Sequence, residues 1–509
     1  MAEGAPEGLP RVNATGVPNL DAVLGGGLPR GALAIVVGPP GSGKTTLACQ
    51  IAFAAAREGR PTLILTALSE PTNKLVAHLR TFRFFDETLL GGAVRVVSLE
   101  QFLPRGLVTT GEEVLALVRK ARAEVVVIDG FRGLRGADAE PQRAREFLYD
   151  VGSGLSVRGA TAIVTSEAEP RDPAFFPEFT TADVIIGMHY RLAGVRQLRS
   201  VEVVKVRGRA PLPGLHALSL SEAGATVYPR LEARVAASAR HGDSGTAGQG
   251  PEEDPSTNGG DEGAASFGLP GLDAALDGGL ARATLTLLAG SLGTGKTTLG
   301  LSFALAGVAL GEPALFLGFR ETPAHLVRKA RVLGADSALS RARAPGGGLE
   351  VLYLPAVELD PDIVADRLLA ALDRTGARRL VVDSIAELER VLARGGDPGR
   401  VEEYLAALAI VLRRRGVTSL LIRETPRVLD PILDLAGDPV GMVADNVLLL
   451  RRIGTAGQVR RGISVLKMRF APHDEALHEL VLGSADGIHL ASVTRASRDD
   501  ETPSPEAVR

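Results

Sequence analysis

Short runs of consecutive apolar, often β-branched residues alternate with longer amphipathic segments along most of the chain. In the first half these runs read ALAIVVG, TLILTAL, AVRVVSL, EVVVIDG and TAIVTS. Segments with helical spacing, such as KTTLACQIAFAAARE and GEEVLALVRKARA, lie between them. Strands that are apolar on both faces and are separated by helices predict a mostly parallel sheet covered by helices on both sides.

Two later runs, ADVIIGMHYRL and RSVEVVKVRG, stand closer together and predict an antiparallel extension of that sheet. The second half follows the same plan and ends with ADNVLLLRRI and RGISVLKMRF. The pattern therefore predicts an α/β fold in which a mostly parallel, twisted sheet flanked by helices, with an antiparallel extension, occurs twice.

The two halves align as an internal repeat. TGVPNLDAVLGGGL (Thr15–Leu28) aligns with FGLPGLDAALDGGL (Phe267–Leu280), 252 residues later, and four further blocks follow in the same order. Units of this size are tandem domains, because solenoid repeats have periods of roughly 20–50 residues. We expect one domain at 12–235 and a second at 266–492.

Three segments lack apolar periodicity and are rich in Gly, Ser, Pro and acidic residues. Such segments cannot bury enough apolar surface to fold. We expect a flexible N-terminus at 1–11, a disordered linker at 236–265 and a disordered tail at 493–509.

Each half carries a glycine-rich loop between a predicted strand and a predicted helix. GPPGSGKT (Gly38–Thr45) and GSLGTGKT (Gly290–Thr297) both fit G-x-x-x-x-G-K-[ST]. In such loops backbone N–H groups surround phosphate oxygens, and the following helix directs its positive N-terminus at them. The predicted ATP-binding residues are Gly41, Ser42, Gly43, Lys44, Thr45, Thr46, Gly293, Thr294, Gly295, Lys296, Thr297 and Thr298.

A magnesium ion is expected beside each loop. Asp129 and Asp383 each end an apolar strand, VVVIDG and RLVVDS, and a carboxylate there lies at the same sheet edge as the phosphate loop. The hydroxyls of Thr45 and Thr297 complete the predicted metal residues.

Lysine usage supports these assignments independently. The chain has seven lysines among its 57 basic residues, and four of the seven, Lys44, Lys205, Lys296 and Lys467, occupy paired positions in the two halves. A compact ammonium retained there suits a point-charge contact with phosphate.

Composition limits the other classes of function. The chain has 509 residues, is 45% hydrophobic and carries a formal net charge of −3, which gives no electrostatic reason to expect nucleic acid or an acidic membrane. No apolar run is long enough to cross a bilayer. Cys49, the single cysteine, excludes an internal disulfide. We expect a cytoplasmic protein.

The ordered motifs GxPxLDxxLxGGL, the glycine-rich loop, the strand-ending Asp and a final KxR resemble those of the RecA-type ATPases, and more narrowly those of the KaiC branch, in which two such domains occur in tandem. The resemblance covers roughly Val12–Leu231 and Phe267–Leu490. It implies two RecA-like P-loop domains and a homo-hexamer with ATP between neighbouring subunits. Lys205 and Arg207, and likewise Lys467 and Arg469, would then reach the neighbour's phosphates.

This chain departs from the family pattern where hydrolysis is concerned. The strand after the phosphate-loop helix usually ends in two acids in the family, and the first is taken to polarise the attacking water. The corresponding pairs here are Ser69-Glu70 and Arg320-Glu321. Neither Ser nor Arg can act as a base near neutral pH. Glu70 and Glu321 take over only if the backbone turns there, so we expect slow hydrolysis.

A second departure concerns autophosphorylation. Clock-type members carry adjacent Ser and Thr acceptors before the strand that leads to KMR. In DPVGMVADNVLLL (Asp438–Leu450), Gly441 and Met442 take those positions and carry no hydroxyl. A serine/threonine autokinase at this segment is therefore not expected, and transfer to another protein has no support from the sequence.

Two further interpretations stay open at this stage. A DNA-dependent recombination or helicase-type ATPase could use the basic segments Arg191–Ser200 and Arg451–Arg461, although these resemble hairpin turns and Arg199 and Arg461 could serve the nucleotide instead. A structural scaffold with vestigial sites would bind no nucleotide. The leading hypothesis is an oligomeric regulatory ATPase with an unidentified regulatory protein partner and without nucleic acid or membrane partners.

Overall fold

The computed structural model divides into two compact units, Met1–Arg240 and His241–Arg509. The residues that the structure describes are 11–66, 72–136, 141–170, 176–242, 263–332, 334–395, 397, 399–425, 438–455, 458–483 and 487–492. None of the helices among them is long and apolar enough to cross a membrane.

The first unit alternates strands and helices as the apolar pattern predicts. Its strands are β1 Val12–Asn13, β2 Leu28–Pro29, β3 Leu33–Val37, β4 Thr62–Thr66, β5 Val94–Ser98, β6 Val125–Asp129, β7 Thr161–Ser166, β8 Val184–Ala193, β9 Arg196–Val206, β10 His216–Ser221 and β11 Gly224–Tyr228. Its helices are α1 Leu20–Val23, α2 Lys44–Arg57, α3 Thr72–Leu79, α4 Leu107–Ala121, α5 Phe131–Gly136, α6 Pro141–Ser156, α7 Phe176–Thr181 and α8 Leu231–Gly242, with 3₁₀ turns at Glu87–Leu89 and Leu103–Arg105.

Nine of these strands form one sheet in the order β11-β10-β9-β8-β3-β7-β6-β4-β5. The pairs from β8 to β5 are parallel, and β8-β9, β9-β10 and β10-β11 are antiparallel. The phosphate-loop strand β3 therefore lies near the middle of the sheet, with β7 between it and the Asp129 strand β6. The short pair β1-β2 stands apart from this sheet.

Both faces of the first sheet are buried. Alternate residues of β3, such as Ala34 and Val36, pack against helix α2, whereas Ile35 and Val37 pack against α4 and α6. Period-two alternation sends successive side chains to opposite faces, so a strand covered on both sides must be apolar throughout. This burial explains the continuous apolar runs in the sequence.

The second unit repeats the plan. Its strands are β12 Leu285–Gly290, β13 Ala314–Gly318, β14 Leu349–Tyr353, β15 Arg379–Asp383, β16 Thr418–Glu424, β17 Asn446–Thr455, β18 Gln458–Met468, β19 His478–Gly483 and β20 Gly487–Ser492. Its helices are α9 Pro270–Ala275, α10 Lys296–Ala309, α11 Pro323–Val332, α12 Asp336–Arg343, α13 Pro361–Thr375, α14 Ala386–Arg394, α15 Arg400–Arg414 and α16 Pro439–Val443.

The second sheet has the order β14-β13-β15-β16-β12-β17-β18-β19-β20. It is parallel from β14 to β17 and antiparallel from β17 to β20. The predicted fold class is confirmed in both halves: a mostly parallel sheet, helices on it and an antiparallel extension. Helix α8 continues to Gly242, several residues into the segment predicted to be a linker, and 243–262 lie outside the described residues.

Candidate functional site

The two glycine-rich loops adopt backbone conformations that require glycine. Gly43 and Gly295, which precede α2 and α10, have φ angles of 100° and 102°. A Cβ at Gly43 would lie 2.7 Å from Leu220 of the antiparallel extension, and one at Gly295 would lie 2.8 Å from Leu482. Positive φ and close neighbours both exclude larger residues at these positions. The extension therefore packs directly on the phosphate loop in each unit.

The loop lysines point back into their own loops. Lys44 Nζ donates to the Pro39 carbonyl at 3.0 Å, and Lys296 Nζ donates to the Gly290 and Ser291 carbonyls at 2.7 Å each. Burial lowers the pKa of both lysines below the ordinary value, and nearby carboxylates oppose that shift. Each loop thus holds a half-desolvated ammonium where an anion would replace the carbonyl partners.

The predicted metal residues lie side by side in both units. Thr45 Oγ1 is 2.9 and 3.2 Å from the two Asp129 carboxylate oxygens, and Thr297 Oγ1 is 2.7 Å from Asp383 Oδ2. Burial raises the pKa of Asp383, although the Thr297 hydrogen bond opposes it. A hydroxyl beside a buried carboxylate supplies hard oxygen donors that fit Mg²⁺.

The remaining ligands of such an ion must come from elsewhere. Among the residues that the structure describes, no three His, Cys, Asp or Glu side chains form a metal-binding cluster. Magnesium at nucleotide sites commonly uses one or two protein groups together with phosphates and water. The donor set therefore fits a magnesium ion that arrives with a nucleotide.

Each loop opens into a large cavity. The first has a volume of about 810 Å³ and the second about 870 Å³, which suits a nucleotide. The first is lined by Pro40, Gly41, Gly43, Lys44, Thr45, Thr46, Lys74, His78, Phe82, Asp129, Gly130, Arg132, Gly133, Thr165, Ser166, Glu167 and Leu220. The second is lined by Leu292, Gly293, Gly295, Lys296, Thr297, Thr298, Arg320, Glu321, Lys329, Asp383, Ser384, Ala386, Glu387, Arg390, Glu424, Thr425, Arg461 and Leu482.

Two predicted loop residues are buried outside these linings. Ser42 and Thr294 are each 0% exposed, and Thr294 Oγ1 donates to the Ser291 carbonyl at 2.9 Å. Their side chains therefore support the loop from behind, and only their backbone groups remain for a phosphate contact.

Glu321 reaches the second cavity because the backbone turns sharply after β13. The Glu321 carbonyl oxygen would lie only 2.7 Å from a Cβ at Gly318. The Glu321 carboxylate is engaged, however, since Lys329 Nζ lies 2.7 Å and His325 Nδ1 3.8 Å away. Its counterpart Glu70, together with Ser69, lies outside the described residues.

Arg320, which stands where the family has its first acid, is paired with a carboxylate across the cavity. Its Nε lies 2.7 Å from Glu387 Oε1, and Arg390 Nη2 lies 2.7 Å from the same oxygen. The Glu387 side chain is only 7% exposed. Gly133 holds the corresponding place after Asp129 in the first unit, so this pair distinguishes the second site from the first.

Besides Glu387, the sequence analysis missed the cavity carboxylates Glu167 and Glu424. Pairing of β3 with β7 and of β12 with β16 places them at equivalent positions, level with the first glycine of each loop. The signal in the sequence was a Glu at the end of TAIVTSE and SLLIRE, in the strand beside the phosphate loop. It stayed hidden because strand order is not visible in the sequence.

Two lysines were missed as well. Lys74 and Lys329 line the cavities from α3 and α11, so four of the seven lysines of the chain lie in these two sites. Because the chain has so few lysines, lysine usage alone could have pointed to these two residues. In the aligned helices, Lys74 and His78 of the first unit correspond to His325 and Lys329 of the second, with the two residue types exchanged.

The basic segments form β-hairpins, as their spacing suggested: β8 turns directly into β9, and β17 and β18 pair up to Thr455 and Gln458. Arg199 Nε donates to the Gly41 carbonyl at 3.2 Å, and Arg461 Nε donates to the Gly293 carbonyl at 3.3 Å. Both predicted arginines thus lie against a phosphate loop.

The KxR residues contact backbone carbonyls and carboxylates of their own unit. Lys205 and Arg207 both donate to the Thr180 carbonyl, at 3.4 and 3.1 Å, so their side chains lie on the same side of the chain where β9 ends. Lys467 Nζ donates to the Ala444 carbonyl at 2.7 Å, and Arg469 lies 3.4 Å from Asp445. None of the four lines the described cavity of its own unit.

The segment that aligns with family phosphate acceptors carries helix α16. Asp438 caps this helix by accepting from the Gly441 N–H at 3.1 Å, and the Met442 side chain is 63% exposed. The exposed position holds a thioether and no hydroxyl.

Comparison with known proteins identifies the same two regions. The family model described as "ATPase: KaiC" matches residues 13–232 and again 265–494. The chain is 25% identical to circadian clock protein KaiC3 of Synechocystis sp. strain PCC 6803, over 97% of this chain and 94% of that protein. It is 24% identical to circadian clock oscillator protein KaiC of Picosynechococcus sp. strain PCC 7002, over 94% and 89% of the two chains. The KaiC of Thermostichus vulcanus is 23% identical, over 96% and 93%.

Proposed function

This chain belongs to the KaiC family of ATPases, and from that membership we propose that it is an ATP-binding, slowly hydrolysing regulatory ATPase that assembles through its nucleotide sites. The observation that carries the proposal is the duplicated site: a partly or fully buried loop lysine beside a threonine–aspartate pair, at the mouth of a nucleotide-sized cavity in both units.

The roles of the loop residues follow from their chemistry. The backbone N–H groups at 41–46 and 293–298 surround the phosphates, and Lys44 and Lys296 exchange their carbonyl partners for phosphate oxygens. Thr45 with Asp129, and Thr297 with Asp383, would hold Mg²⁺, which neutralises charge on the phosphates when it is bound. Arg199 and Arg461 support the loops from the antiparallel extension.

Slow hydrolysis follows from the residues at the usual position of the base. Arg320 is a permanent cation, and the Glu321 carboxylate is paired with Lys329. The Glu321 carboxylate oxygen that contacts the Lys329 ammonium is therefore occupied and is poorly placed to receive an attacking water. Binding rather than turnover is therefore proposed as the main use of the second site.

A regulatory role agrees with the relatives, which are named circadian clock proteins. We propose that nucleotide state controls assembly and an as yet unidentified protein partner. Autophosphorylation at α16 is not part of the proposal, because Gly441 and Met442 offer no acceptor oxygen. Phosphopeptide mapping after incubation with ATP is expected to find no phosphate at 438–450.

The proposal predicts separate losses of nucleotide in the Lys44→Ala and Lys296→Ala variants. Each substitution removes the ammonium of one loop. The unit that carries the substitution is therefore expected to lose affinity for ATP by at least about tenfold, or roughly 1.4 kcal/mol. Equilibrium retention of labelled ATP with Mg²⁺, measured with size-exclusion chromatography and light scattering, reports binding and assembly together.

Lys120→Ala is the matched control, since Lys120 is exposed on α4 and lies outside both cavities. It is expected to bind and assemble as the wild type does. A wild-type chain that retains no ATP, or an assembly state that ignores ATP in every variant, would leave the scaffold interpretation standing instead.

A further inference from the structure

The second cavity contains four carboxylates, and three of them are already engaged. Asp383 accepts a hydrogen bond from Thr297, Glu321 pairs with Lys329, and Glu387 holds two guanidinium groups. Glu424 is different. Among the residues that the structure describes, its carboxylate forms neither an ion pair nor a hydrogen bond, and the residue is exposed to the cavity.

The fold fixes where Glu424 stands. It ends strand β16, which lies between the phosphate-loop strand β12 and the Asp383 strand β15. Its Cα is paired with that of Gly290, the first glycine of the loop. The carboxyl ends of parallel strands share one sheet edge, so Glu424 lies along that edge between the start of the phosphate loop and Asp383.

The first unit carries the same residue at the same place. Glu167 follows β7, between β3 and the Asp129 strand β6, and lines the first cavity. Its one ion pair among the described residues, to Arg132, is long at 3.8 Å, and both side chains are substantially exposed. Such a pair contributes little and leaves the carboxylate available.

Each of these carboxylates lines the same cavity as the loop ammonium. Burial is the main cause that lowers the pKa of Lys44 and Lys296. In each unit the strand-end Glu raises that pKa more than the metal-pair Asp does. A carboxylate that shares the cavity with the loop lysine is suited to contact a water beside the terminal phosphate that the lysine would bind.

We propose that Glu167 and Glu424 orient and deprotonate the water that hydrolyses ATP, in place of the acid that is missing at Ser69 and Arg320. This inference rests on the proposed function. The water oxygen attacks the γ-phosphorus while the bond from that phosphorus to the β,γ-bridging oxygen breaks, and ADP leaves with the electron pair. The water proton passes to the Glu carboxylate and from there to the departing phosphate.

The test replaces both carboxylates with their uncharged isosteres in the full-length chain. Glu167→Gln/Glu424→Gln is expected to lower ATP turnover about a hundredfold, the lower end of the range for general-base catalysis. ATP affinity is expected to stay the same or rise, because a negative charge near the triphosphate is removed. A merely structural role would instead weaken binding and turnover together.

Two comparison variants make the outcome decisive. Glu70→Gln/Glu321→Gln is expected to change turnover less, and Glu112→Gln/Glu402→Gln, two exposed helix residues outside the cavities, is expected to behave as the wild type. Turnover retained in Glu167→Gln/Glu424→Gln would overturn this inference and leave the proposed function intact. A wild-type chain that binds ATP without any turnover would overturn this inference together with the hydrolysis part of the proposed function. Failure of the wild type to retain ATP would overturn the proposed function itself.

Discussion

Arg379 is the largest side chain that is completely buried in the described part of the molecule, and it carries a charge. Its Nε lies 2.6 Å from Glu312 Oε2, and Arg282 binds the other oxygen of the same carboxylate at 2.5 Å. The Arg379 guanidinium also stacks over the Phe303 ring at 4.7 Å. A buried charge is tolerated only when it is paired and hydrogen-bonded. The Glu312 carboxylate therefore stabilises the charged form of Arg379 in the core.

Glu312→Gln is therefore expected to destabilise the second unit by about 3 kcal/mol, because it leaves a buried cation without its counter-charge. Glu350→Gln, which removes an exposed partner of Arg374, is the control and is expected to cost less than about 1 kcal/mol. Hydrogen exchange of second-unit peptides in increasing urea measures both. Equal costs in the two variants would contradict the assigned importance of the buried pair.

The same carboxylate predicts a dependence on pH. Burial alone would raise the pKa of Glu312, but the hydrogen bonds and charges of Arg282 and Arg379 outweigh it and hold the pKa below its ordinary value. A depressed folded-state pKa gives stability that is present above the unfolded-state pKa and is lost as the pH falls through the folded-state pKa. The stability difference between wild type and Glu312→Gln is therefore expected to shrink below about pH 4. A difference that stays constant in an acid titration would contradict this assignment.

At the scale of the element, helix α10 is shaped around Arg379. A Cβ at Gly307 would lie 2.4 Å from Arg379 Cδ and 2.5 Å from its Nε. The aligned positions in the first unit are Ala55 on α2 and Val125 on β6. One unit thus pairs a small apolar residue with an aliphatic one, where the other pairs a glycine with a long cation.

Gly307→Ala is expected to destabilise the second unit in the wild-type background, although Ala is favoured over Gly in helices by about 1 kcal/mol. In the Arg379→Val background, which recreates the Ala55–Val125 pair, the same change is expected to be neutral or stabilising. A double-mutant cycle in urea measures this coupling. Gly111→Ala on α4 is the control, because its nearest neighbour would be 3.5 Å away; a cycle without coupling would contradict the steric cause.

The sequence predicted those elements and site residues that depend on a local pattern of residues. Apolar runs located the buried strands, and the loop spacing located Lys44, Thr45, Lys296 and Thr297, because both signals lie within a few consecutive residues. It could not show that β7 and β16 are inserted between the loop strand and the Asp strand. Glu167, Glu424 and Glu387 therefore became visible only once the strand order and the following helix were known.

At the scale of the whole molecule, we propose that the KxR residues complete the nucleotide site of a neighbouring chain. Lys467 and Arg469 are held by Ala444 and Asp445 of their own unit and do not line its described cavity. Two cations presented together at a strand end, away from their own phosphate loop, are suited to a neighbour's nucleotide. A cation supplied in trans stabilises the charge that develops in hydrolysis and makes turnover depend on assembly.

Mixing two variants that are each defective only in the second unit tests this arrangement. Lys296→Ala lacks a working second-unit loop but keeps its KxR residues, and Lys467→Ala/Arg469→Ala keeps the loop but lacks the cations. If the cations act in trans, subunits mixed before ATP is added form some interfaces that combine an intact loop with an intact KxR segment. ATP turnover of the mixture is then expected to exceed the mean of the two separate preparations. A mixture that equals that mean would place Lys467 and Arg469 in the structure of their own unit.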